Sequence, residues 1–537
     1  MLRTVTTRYG KVKGLPGANP LITVFRGVPF AAPPVGELRW RAPQPPRPYS
    51  GVLEAYEFPP ISMQAVPGQN PDDLYTREWH VDPDLPMSED CLYLNIWTPA
   101  KSGCEHLPVM VWFFGGGLNG GYPGEMEFDG ERLARRGTVI VTINYRTNVF
   151  GFLAHPDLTA ASTDGCVTNF GLYDQRQALI WVRENIEAFG GDPTRITIAG
   201  QSGGGRSVLF QALSPLNDLS LFQRGISMSG SGITVGFIRY QTLQEAEHSG
   251  EEFFRILGVR TVEDARKIPA DELEKASLAQ RSVRWGAVVD GIFLPDQPPR
   301  LLFRNQRLPI PLMLGCTKDE MWDFFHQADT PEKFSDLVSE TLGNSANGFL
   351  SLCGWPDSPL EEVRSRAAVN HQRLCVELLA LRSTQAGWPI WLYEFGPDIP
   401  GWDNPGAFHS SDLWFAFESL GKCWRPFQGR HYDLARMMCN YWTNFARTGD
   451  PNGNDSDGEP MPLWRPVSAE YKEAMFFGDR HIGMTEGLRT ELEEALVRFY
   501  RDQLERGELP SVFKTAIRAA MGSGGLEGGG LPPVINS

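Results

Sequence analysis

Short, almost uninterrupted apolar runs constrain the fold of this chain more than any other feature. Two longer runs cover residues 107–114 and 138–143, and two shorter ones cover 195–199 and 310–314. Continuous apolarity is typical of parallel strands covered on both faces, whereas strands with one wet face alternate. Residues 171–189 repeat apolar positions at helical spacing before a glycine pair. This alternation predicts an α/β fold with a mostly parallel central sheet and helices on both faces.

The domain organisation is predicted from length and local composition. The chain has 537 residues, of which 41% are apolar and 21% charged, which is typical of a globular protein with a large core. We expect one catalytic domain over residues 1–515, with charged helical insertions at about 235–300 and 326–400. A last amphipathic helix is predicted over 488–506. The glycine-rich tail, 516–537, is expected to be disordered.

Charge and hydropathy exclude several classes of partner. The formal net charge is −15 and no run of Lys and Arg is present, so we expect no nucleic-acid binding. No stretch of about 18 apolar residues occurs, so no membrane partner is expected. The amino terminus resembles a first strand rather than a signal peptide, which favours a cytoplasmic location with free thiols. A mature secreted form would look the same. No metal or organic cofactor is implied.

A G-x-S-x-G motif spans residues 200–204 and directly follows the apolar run 195–199. The motif is typical of a sharp strand-to-helix turn that exposes a serine, here Ser202, above the sheet edge. Glycines on both sides let the neighbouring backbone pass close to that turn. The alternative is a glycine-rich turn with an incidental serine. The strand before the motif and the helical pattern after it favour a nucleophile.

A second glycine cluster, residues 115–121, ends another strand and has two functional interpretations. Gly115, Gly117 and Gly120 fit a dinucleotide fingerprint, but that fingerprint must open a helix, and Gly-Tyr-Pro-Gly follows instead. The second interpretation is an oxyanion hole, because consecutive glycines expose N–H donors to a developing negative charge. A flexible surface loop is the plain alternative. In the oxyanion interpretation, Gly203 supplies a further donor.

A serine nucleophile needs a base, and the base is oriented by an acid. Where a G-x-S-x-G serine is the nucleophile, the acid follows it in the chain and the histidine base follows the acid. The downstream histidines are His326, His371, His409, His431 and His481. His409 lies in a loop that enters a helix. His371 lies in a charged helical stretch and is expected to be solvated, and the arginine neighbours of the last two predict surface positions. For the acid, Asp319 and Glu320 share one strand end, and composition does not choose between them.

Three longer segments carry a resemblance to a known family. They are residues 25–40 (FRGVPFAAPPVGELRW), 89–99 (EDCLYLNIWTP) and 189–204 (FGGDPTRITIAGQSGG). On these motifs the chain resembles the type-B carboxylesterase family, which includes the cholinesterases, from residue 25 to about 452. The resemblance implies an α/β-hydrolase fold with helical cap insertions.

The resemblance also assigns roles to particular positions. It implies Ser202 as nucleophile, His409 as base and Glu320, rather than Asp319, as acid. The implied oxyanion-hole donors are Gly116, Gly117 and Gly203. A structural ion pair falls on Arg39 and Glu89, and a serine that supports the triad falls on Ser229.

This chain departs from the family at several positions. Leu118 replaces the aromatic residue after the glycines, Phe114 replaces a histidine or tyrosine, and Gln201 replaces a glutamate beside the nucleophile. No cysteine precedes Cys91, so the disulfide that many relatives form there is absent. The candidate residues of the substrate pocket are Leu118, Gln201, Trp322, Phe325 and Trp414.

These observations predict a serine carboxylesterase that acts on a small-molecule ester through an acyl-enzyme on Ser202. A preference for neutral apolar or aromatic esters is expected, because Gln201 and Trp414 stand where cholinesterase-like relatives carry acidic residues. The alternatives are an acyltransferase with the same acyl-enzyme and a non-catalytic adhesion or carrier member of the fold. The oligomeric state, monomer or homodimer, stays open.

Overall fold

The computed structural model describes residues 1–70, 72–230, 240–280, 283, 285–320, 328–468, 473–485 and 490–508. The predicted disordered tail, 516–537, lies outside the described residues. None of the described helices combines the length and the apolar character needed to cross a membrane. All eight cysteines lie within the described part of the chain, and none of them is in a disulfide.

The strands are distributed along the whole described chain. They are β1 (Thr4–Thr7), β2 (Gly10–Lys13), β3 (Leu15–Pro16), β4 (Thr23–Pro29), β5 (Val52–Glu54), β6 (Tyr93–Thr98), β7 (Leu107–Phe113), β8 (Val139–Ile143), β9 (Gly191–Gln201), β10 (Arg224–Met228), β11 (Gln241–Thr242), β12 (Val288–Val289), β13 (Leu312–Thr317), β14 (Ile390–Phe395), β15 (Ala474–Phe477) and β16 (Ile482–Thr485).

A large central sheet contains eleven of these strands in the order β16-β15-β14-β13-β10-β9-β7-β8-β6-β4-β3. The strands from β8 to β15 in this order are parallel, and antiparallel pairs occur only toward the two edges. The prediction of a mostly parallel sheet is therefore confirmed. Parallel strands end at one common edge, so residues that follow β9 and β13 lie near each other.

Strand β7 shows why the apolar runs are continuous. Val109, Met110, Val111 and Trp112 are each at most 1% exposed. Successive side chains of a strand point to opposite faces, so both faces of the sheet are covered. Helices α5 (Phe170–Asn185) and α6 (Gly203–Leu213) pack against β9, and α16 (Gly429–Thr448) packs against β7 and β9.

The other helices lie mainly in the connections between strands. They are α1 (Leu74–Glu78), α2 (Glu131–Ala134), α3 (Asn148–Phe152), α4 (Pro156–Ala161), α7 (Leu243–Ile256), α8 (Val262–Arg266), α9 (Ala270–Ala279), α10 (Pro298–Phe303), α11 (Pro331–Leu342), α12 (Ala346–Leu352), α13 (Leu360–Ala367), α14 (His371–Thr384), α15 (Leu413–Ala416) and α17 (Glu491–Glu505). Short 3₁₀ helices cover Gly36–Leu38, Gly103–Glu105, Met126–Phe128, Ile186–Phe189, Gly343–Ser345 and Leu420–Lys422.

Element ends differ from the sequence predictions for local reasons. Strand β9 begins at Gly191, four residues before the predicted run, because Gly191 pairs with Leu107 beyond an irregularity in the ladder. The helix predicted over 171–189 is α-helical only to Asn185. Its last turn is a 3₁₀ helix that ends at Gly190, whose φ of 83° suits glycine.

The ion pair that the resemblance implied is present. Arg39 Nε and Nη2 donate to the two carboxylate oxygens of Glu89, at 2.6 and 2.5 Å, and both side chains are nearly buried. Arg39 Nη1 also donates to the carbonyl oxygens of Ala265 and Ile268 at the end of α8. One arginine thereby joins the amino-terminal segment to the helical insertion.

Candidate active site

Ser202 occupies the turn between β9 and α6. Its backbone has φ 55° and ψ −118°, which is strained for a residue with a side chain. The strain is held by the surrounding backbone, since Ser202 N donates to Met228 O at 2.9 Å. A Cβ on Gly204 would lie 2.0 Å from Phe113 O, so that position requires glycine. This geometry is a sharp strand-to-helix turn with a serine at its tip, as the motif predicts.

Glu320 and His409 meet close to the same edge of the sheet. Glu320 lies three residues after the end of β13, and its Oε2 is 2.5 Å from His409 Nδ1. The other oxygen, Oε1, accepts a hydrogen bond from Ser229 Oγ at 2.5 Å and one from Thr317 N at 3.2 Å. Burial raises the pKa of the Glu320 carboxyl, but His409 and these hydrogen bonds outweigh burial and lower it below its ordinary value.

Asp319, the other acid candidate, makes different contacts. Its Oδ2 accepts a hydrogen bond from Ala407 N at 2.8 Å, and its own N–H donates to Ala407 O at 3.1 Å. Asp319 therefore fastens the loop that leads to His409 and does not contact the imidazole. The structure thus separates two neighbouring carboxylates that composition could not distinguish.

The second ring nitrogen of His409 faces Gln201, the residue before Ser202. His409 Nε2 lies 3.3 Å from the side-chain nitrogen of Gln201. Within the described residues, Ser202 Oγ makes no hydrogen bond to His409.

The glycine loop lies against the serine turn. A Cβ on Gly203 would lie 2.8 Å from Gly117 N, so the two backbones are in contact. Gly116 and Gly117 have φ values of 86° and 64°, which turn the chain sharply. No acceptor in the described part of the chain takes the N–H groups of Gly116, Gly117 or Gly203. Gln64 holds the far end of the loop through both the N–H and the carbonyl of Gly121.

The candidate pocket residues are distributed unevenly. Trp322 and Phe325 lie outside the described residues. Leu118 and Gln201 are each 2% exposed, and Trp414 is 1% exposed. Trp414 packs on the ring of Trp79, and its indole N–H donates to Glu78 Oε2 at 3.4 Å. In this structure, therefore, Trp414 is packed between protein groups and offers little surface to a ligand.

Sequence reasoning missed several buried acids close to these residues. Glu78 pairs with Arg425 at 2.6 Å, and both side chains are inaccessible to solvent. Asp412 is buried, accepts a hydrogen bond from Tyr393 at 2.9 Å, and has a pKa that burial raises to about 7. Burial and the nearby Glu125 raise the pKa of Glu127 well above its ordinary value. The sequence feature that could have indicated a buried acid is an acidic residue beside an apolar run, as in Asp412-Leu-Trp-Phe.

Two histidine predictions were wrong. His371, expected to be solvated, is 4% exposed, and its Nδ1 lies 2.7 Å from Tyr500 Oη on α17. Burial lowers the pKa of His371 to about 3. His431, expected at the surface, is inaccessible on α16 and accepts a hydrogen bond from Gln428 N. Arginine neighbours in sequence did not indicate which helix face each histidine occupies. His481 is exposed, as predicted.

The parallel sheet and the strained serine at the β9–α6 turn define an α/β-hydrolase. The model of the carboxylesterase family matches residues 2–350 and 365–495, so the chain belongs to the carboxylesterase family. This membership confirms the resemblance found in the sequence and supports hydrolysis of carboxylic esters.

Individual relatives extend over most of the chain. It is 34% identical to para-nitrobenzyl esterase of Bacillus subtilis, covering 83% of this chain and 90% of that protein. It is 32% identical to fumonisin B1 esterase of Sphingopyxis macrogoltabida, with 90% and 87% covered. Among solved structures, a carboxylesterase of Geobacillus stearothermophilus matches with a TM-score of 0.74 and 31% identity, covering 92% of this chain and 99% of that one.

Proposed function

We propose that this protein is a serine carboxylesterase that hydrolyses esters through an acyl-enzyme on Ser202. The single observation that carries the proposal is the Glu320–His409 pair beside a serine held on a strained strand-to-helix turn. A serine hydroxyl is a weak nucleophile by itself and is activated by an adjacent base that a third group orients. The two side chains supply such a base and such an orienting group.

In the first half-reaction, His409 Nε2 takes the proton of Ser202 Oγ while that oxygen attacks the ester carbonyl carbon. The carbonyl π electrons move to the oxygen, which becomes an oxyanion. When the tetrahedral intermediate collapses, the bond to the leaving oxygen breaks and His409 gives its proton to that oxygen. The alcohol leaves and the acyl group stays on Ser202. In the second half-reaction, water takes the place of the alcohol and the same steps release the acid.

The other groups of the site have roles in this scheme. Glu320 holds His409 in the orientation that presents Nε2 and stabilises the imidazolium. Ser229 fixes Glu320 through its hydrogen bond at 2.5 Å. The N–H groups of Gly116, Gly117 and Gly203 are proposed to bind the oxyanion. Support comes from their position, because they lie where the glycine loop contacts the serine turn and no protein acceptor in the described residues takes them.

We further propose a preference for neutral apolar or aromatic esters. The residue beside the nucleophile is the uncharged Gln201, and the nearby Glu78 is neutralised by Arg425 at 2.6 Å. Burial raises the pKa of Asp412 to about 7 and that of Glu127 well above its ordinary value, so at neutral pH both carry less negative charge than an exposed carboxylate does. The region next to Ser202 and Trp414 therefore supplies little uncompensated negative charge to attract a cationic substrate.

Measuring kcat/KM tests the preference. An uncharged aromatic ester, such as a para-nitrobenzyl ester, is compared with a choline ester of the same acyl group. We expect the neutral ester to be preferred, and Gln201→Glu to shift the ratio toward the choline ester. A tenfold or greater preference of the wild-type enzyme for the choline ester, about 1.4 kcal/mol, would overturn this part of the proposal.

Ser202→Ala tests the function itself. The variant should keep the wild-type Tm and lose ester hydrolysis. An unchanged rate of hydrolysis would rule out Ser202 as the nucleophile.

Product analysis with added alcohols separates a hydrolase from an acyltransferase with the same acyl-enzyme. A hydrolase releases mainly free acid, whereas dominant formation of a new ester would favour the acyltransferase.

A further inference from the structure

A polar cleft of about 440 Å³ lies between α2 with the two residues that follow it, Glu418, helix α16 and the loop at 454–456. Its lining contains no apolar side chain. The lining residues are Arg132, Arg135, Arg136, Glu418, Arg436, Asn440, Thr443, Asn444, Arg447, Asn454, Asp455 and Ser456. Pockets for uncharged organic ligands are mainly apolar, so this lining indicates a strongly polar ligand.

The cleft and Ser202 lie at opposite ends of the strands of the central sheet. Arg136 precedes the first residue of β8, and Gly449, just after α16, lies beside Arg224 at the beginning of β10. Ser202 instead follows the last residue of β9, which runs parallel to β10. The cleft therefore opens near the amino ends of the strands, about 17 Å away for a five-residue strand. Nothing in the proposed ester hydrolysis uses it.

Ion pairs account for part of the positive charge. Arg136 Nη2 lies 2.7 Å from Glu418 Oε2, and Arg436 Nη2 lies 2.8 Å from Asp455 Oδ2. Two further ion pairs involve acids outside the lining. Arg436 contacts Asp433, and Arg135 pairs with Glu131. These contacts hold three guanidinium groups in fixed positions around the cleft.

Two arginines have no carboxylate within hydrogen-bond distance in the described structure. Arg132 is half exposed, and its nearest carboxylate oxygen, on Glu418, is 3.9 Å away. Arg447 donates only to uncharged groups, namely Arg136 O at 2.7 Å and Asn444 Oδ1 at 3.2 Å. Both side chains therefore keep charge and N–H donors that a ligand could use.

A backbone feature coincides with the cleft. Glu418, the acid between Arg132 and Arg136, has φ 52°, a left-handed conformation that is costly for a residue other than glycine. Its neighbour Ser419 is held by a hydrogen bond from Oγ to Glu127 O at 2.9 Å. The backbone is strained at the point where the arginines converge.

We propose that this cleft is a binding site for the phosphate group of a small molecule. Guanidinium groups match phosphate oxygens in a two-pronged geometry and remain charged at every physiological pH. The chain as a whole carries a net charge of −15, whereas the lining of the cleft carries five arginines against the two acids Glu418 and Asp455. A concave cluster of arginines focuses positive potential and attracts a dianion. Arg132 and Arg447 contribute the free donors.

Calorimetric titration of the full chain with inorganic phosphate, pyrophosphate and a sugar phosphate tests the proposal without measuring ester hydrolysis. We expect saturable binding with Kd at or below about 1 mM, weakened by salt. Tighter binding of the sugar phosphate than of inorganic phosphate would identify an organic phosphate ester as the source of the phosphate group. The reverse order would identify the free ion.

Matched variants locate the binding. Arg132→Gln/Arg447→Gln should weaken binding at least about tenfold, because two charge-assisted contacts are lost. Arg255→Gln/Arg260→Gln removes the same charge from exposed positions on and near α7 and should leave Kd unchanged. If the first double variant has a lower Tm, the half-exposed Arg132→Gln alone gives the comparison. No saturable binding, or equal weakening in both double variants, would overturn the proposal.

Discussion

The carboxylate of Glu320 and the imidazole of His409 lie 2.5 Å apart, although 89 residues separate them in the chain. One follows the parallel strand β13, and the other lies on the loop that follows β14. A second contact secures this arrangement, since Ser229, just after β10, donates to the remaining oxygen of Glu320. Three neighbouring connections of the sheet therefore converge on one carboxylate.

Glu320→Gln should reduce kcat by at least about 10³-fold while the fold is retained. The amide keeps the shape but cannot stabilise an imidazolium, and it can favour the wrong tautomer of His409. Asp319→Asn is the matched control, because it makes the same chemical change one residue away. That variant should keep most of its activity. Equal losses in both variants would contradict the assignment of the acid.

Ser229→Ala should lower kcat by about tenfold with little change in KM, because one hydrogen bond to a charged group contributes about 1.5 kcal/mol. Ser229 acts through Glu320, so Ser229→Thr, which restores a hydroxyl, should recover part of the rate. Steady-state kinetics on a neutral ester measures both variants. A rise in KM at constant kcat would show that Ser229 affects substrate binding instead.

Gly116→Ala should lower kcat by about 10²-fold or more, because it disturbs the proposed oxyanion donors. A Cβ at this position would lie 2.2 Å from Gly120 O, which forces the glycine loop to move. Gly258 also has a positive φ, 73°, but open space around the position of a Cβ. Gly258→Ala therefore reproduces the backbone strain without the clash, and its kcat should match that of the wild type.

His371 makes the folded protein sensitive to acid. Its pKa is lowered to about 3 in the folded state, against about 6.5 in an unfolded chain. The unfolded state therefore binds a proton first as pH falls, and stability is lost progressively below pH 6.5. The loss between pH 7 and pH 5 is about 2 kcal/mol from this group.

Urea unfolding of His371→Gln at both pH values measures this contribution. The difference in the free energy of unfolding between the two pH values should be smaller than in the wild type. The exposed His248 is the control, and His248→Gln should leave the difference unchanged. The same pH dependence in wild type and His371→Gln would show that His371 does not cause the acid sensitivity.

The sequence was sufficient to predict the central sheet and the turn between β9 and α6. Val109–Trp112 are apolar at every position because both faces are covered, and such runs are visible without a structure. The glycine motif likewise predicted the strand-to-helix turn that Ser202 occupies. Composition alone left Asp319 and Glu320 unresolved, because both follow the same strand and only three-dimensional contacts distinguish them.

Long-range polar contacts were the part that sequence reasoning could not supply. Glu78 and Arg425 are 347 residues apart, and nothing in either local sequence indicates that they form a buried pair. Local sequence also did not show which face of a helix is buried, as His371 and His431 illustrate. Charged neighbours predicted solvent exposure for both, yet each side chain points into the packed interior.

Mass spectrometry of the protein during turnover shows whether Ser202 carries the acyl group. With a slowly deacylating ester, such as an activated ester of a bulky acid, we expect one acyl group per chain, located on the peptide that contains Ser202. A stoichiometric burst of the leaving alcohol should accompany it. Glu320→Gln should reduce the burst rate, and Ser202→Ala should abolish the adduct. Steady ester hydrolysis by the wild type, with an adduct on another residue or with the adduct retained in Ser202→Ala, would rule out an acyl-enzyme on Ser202.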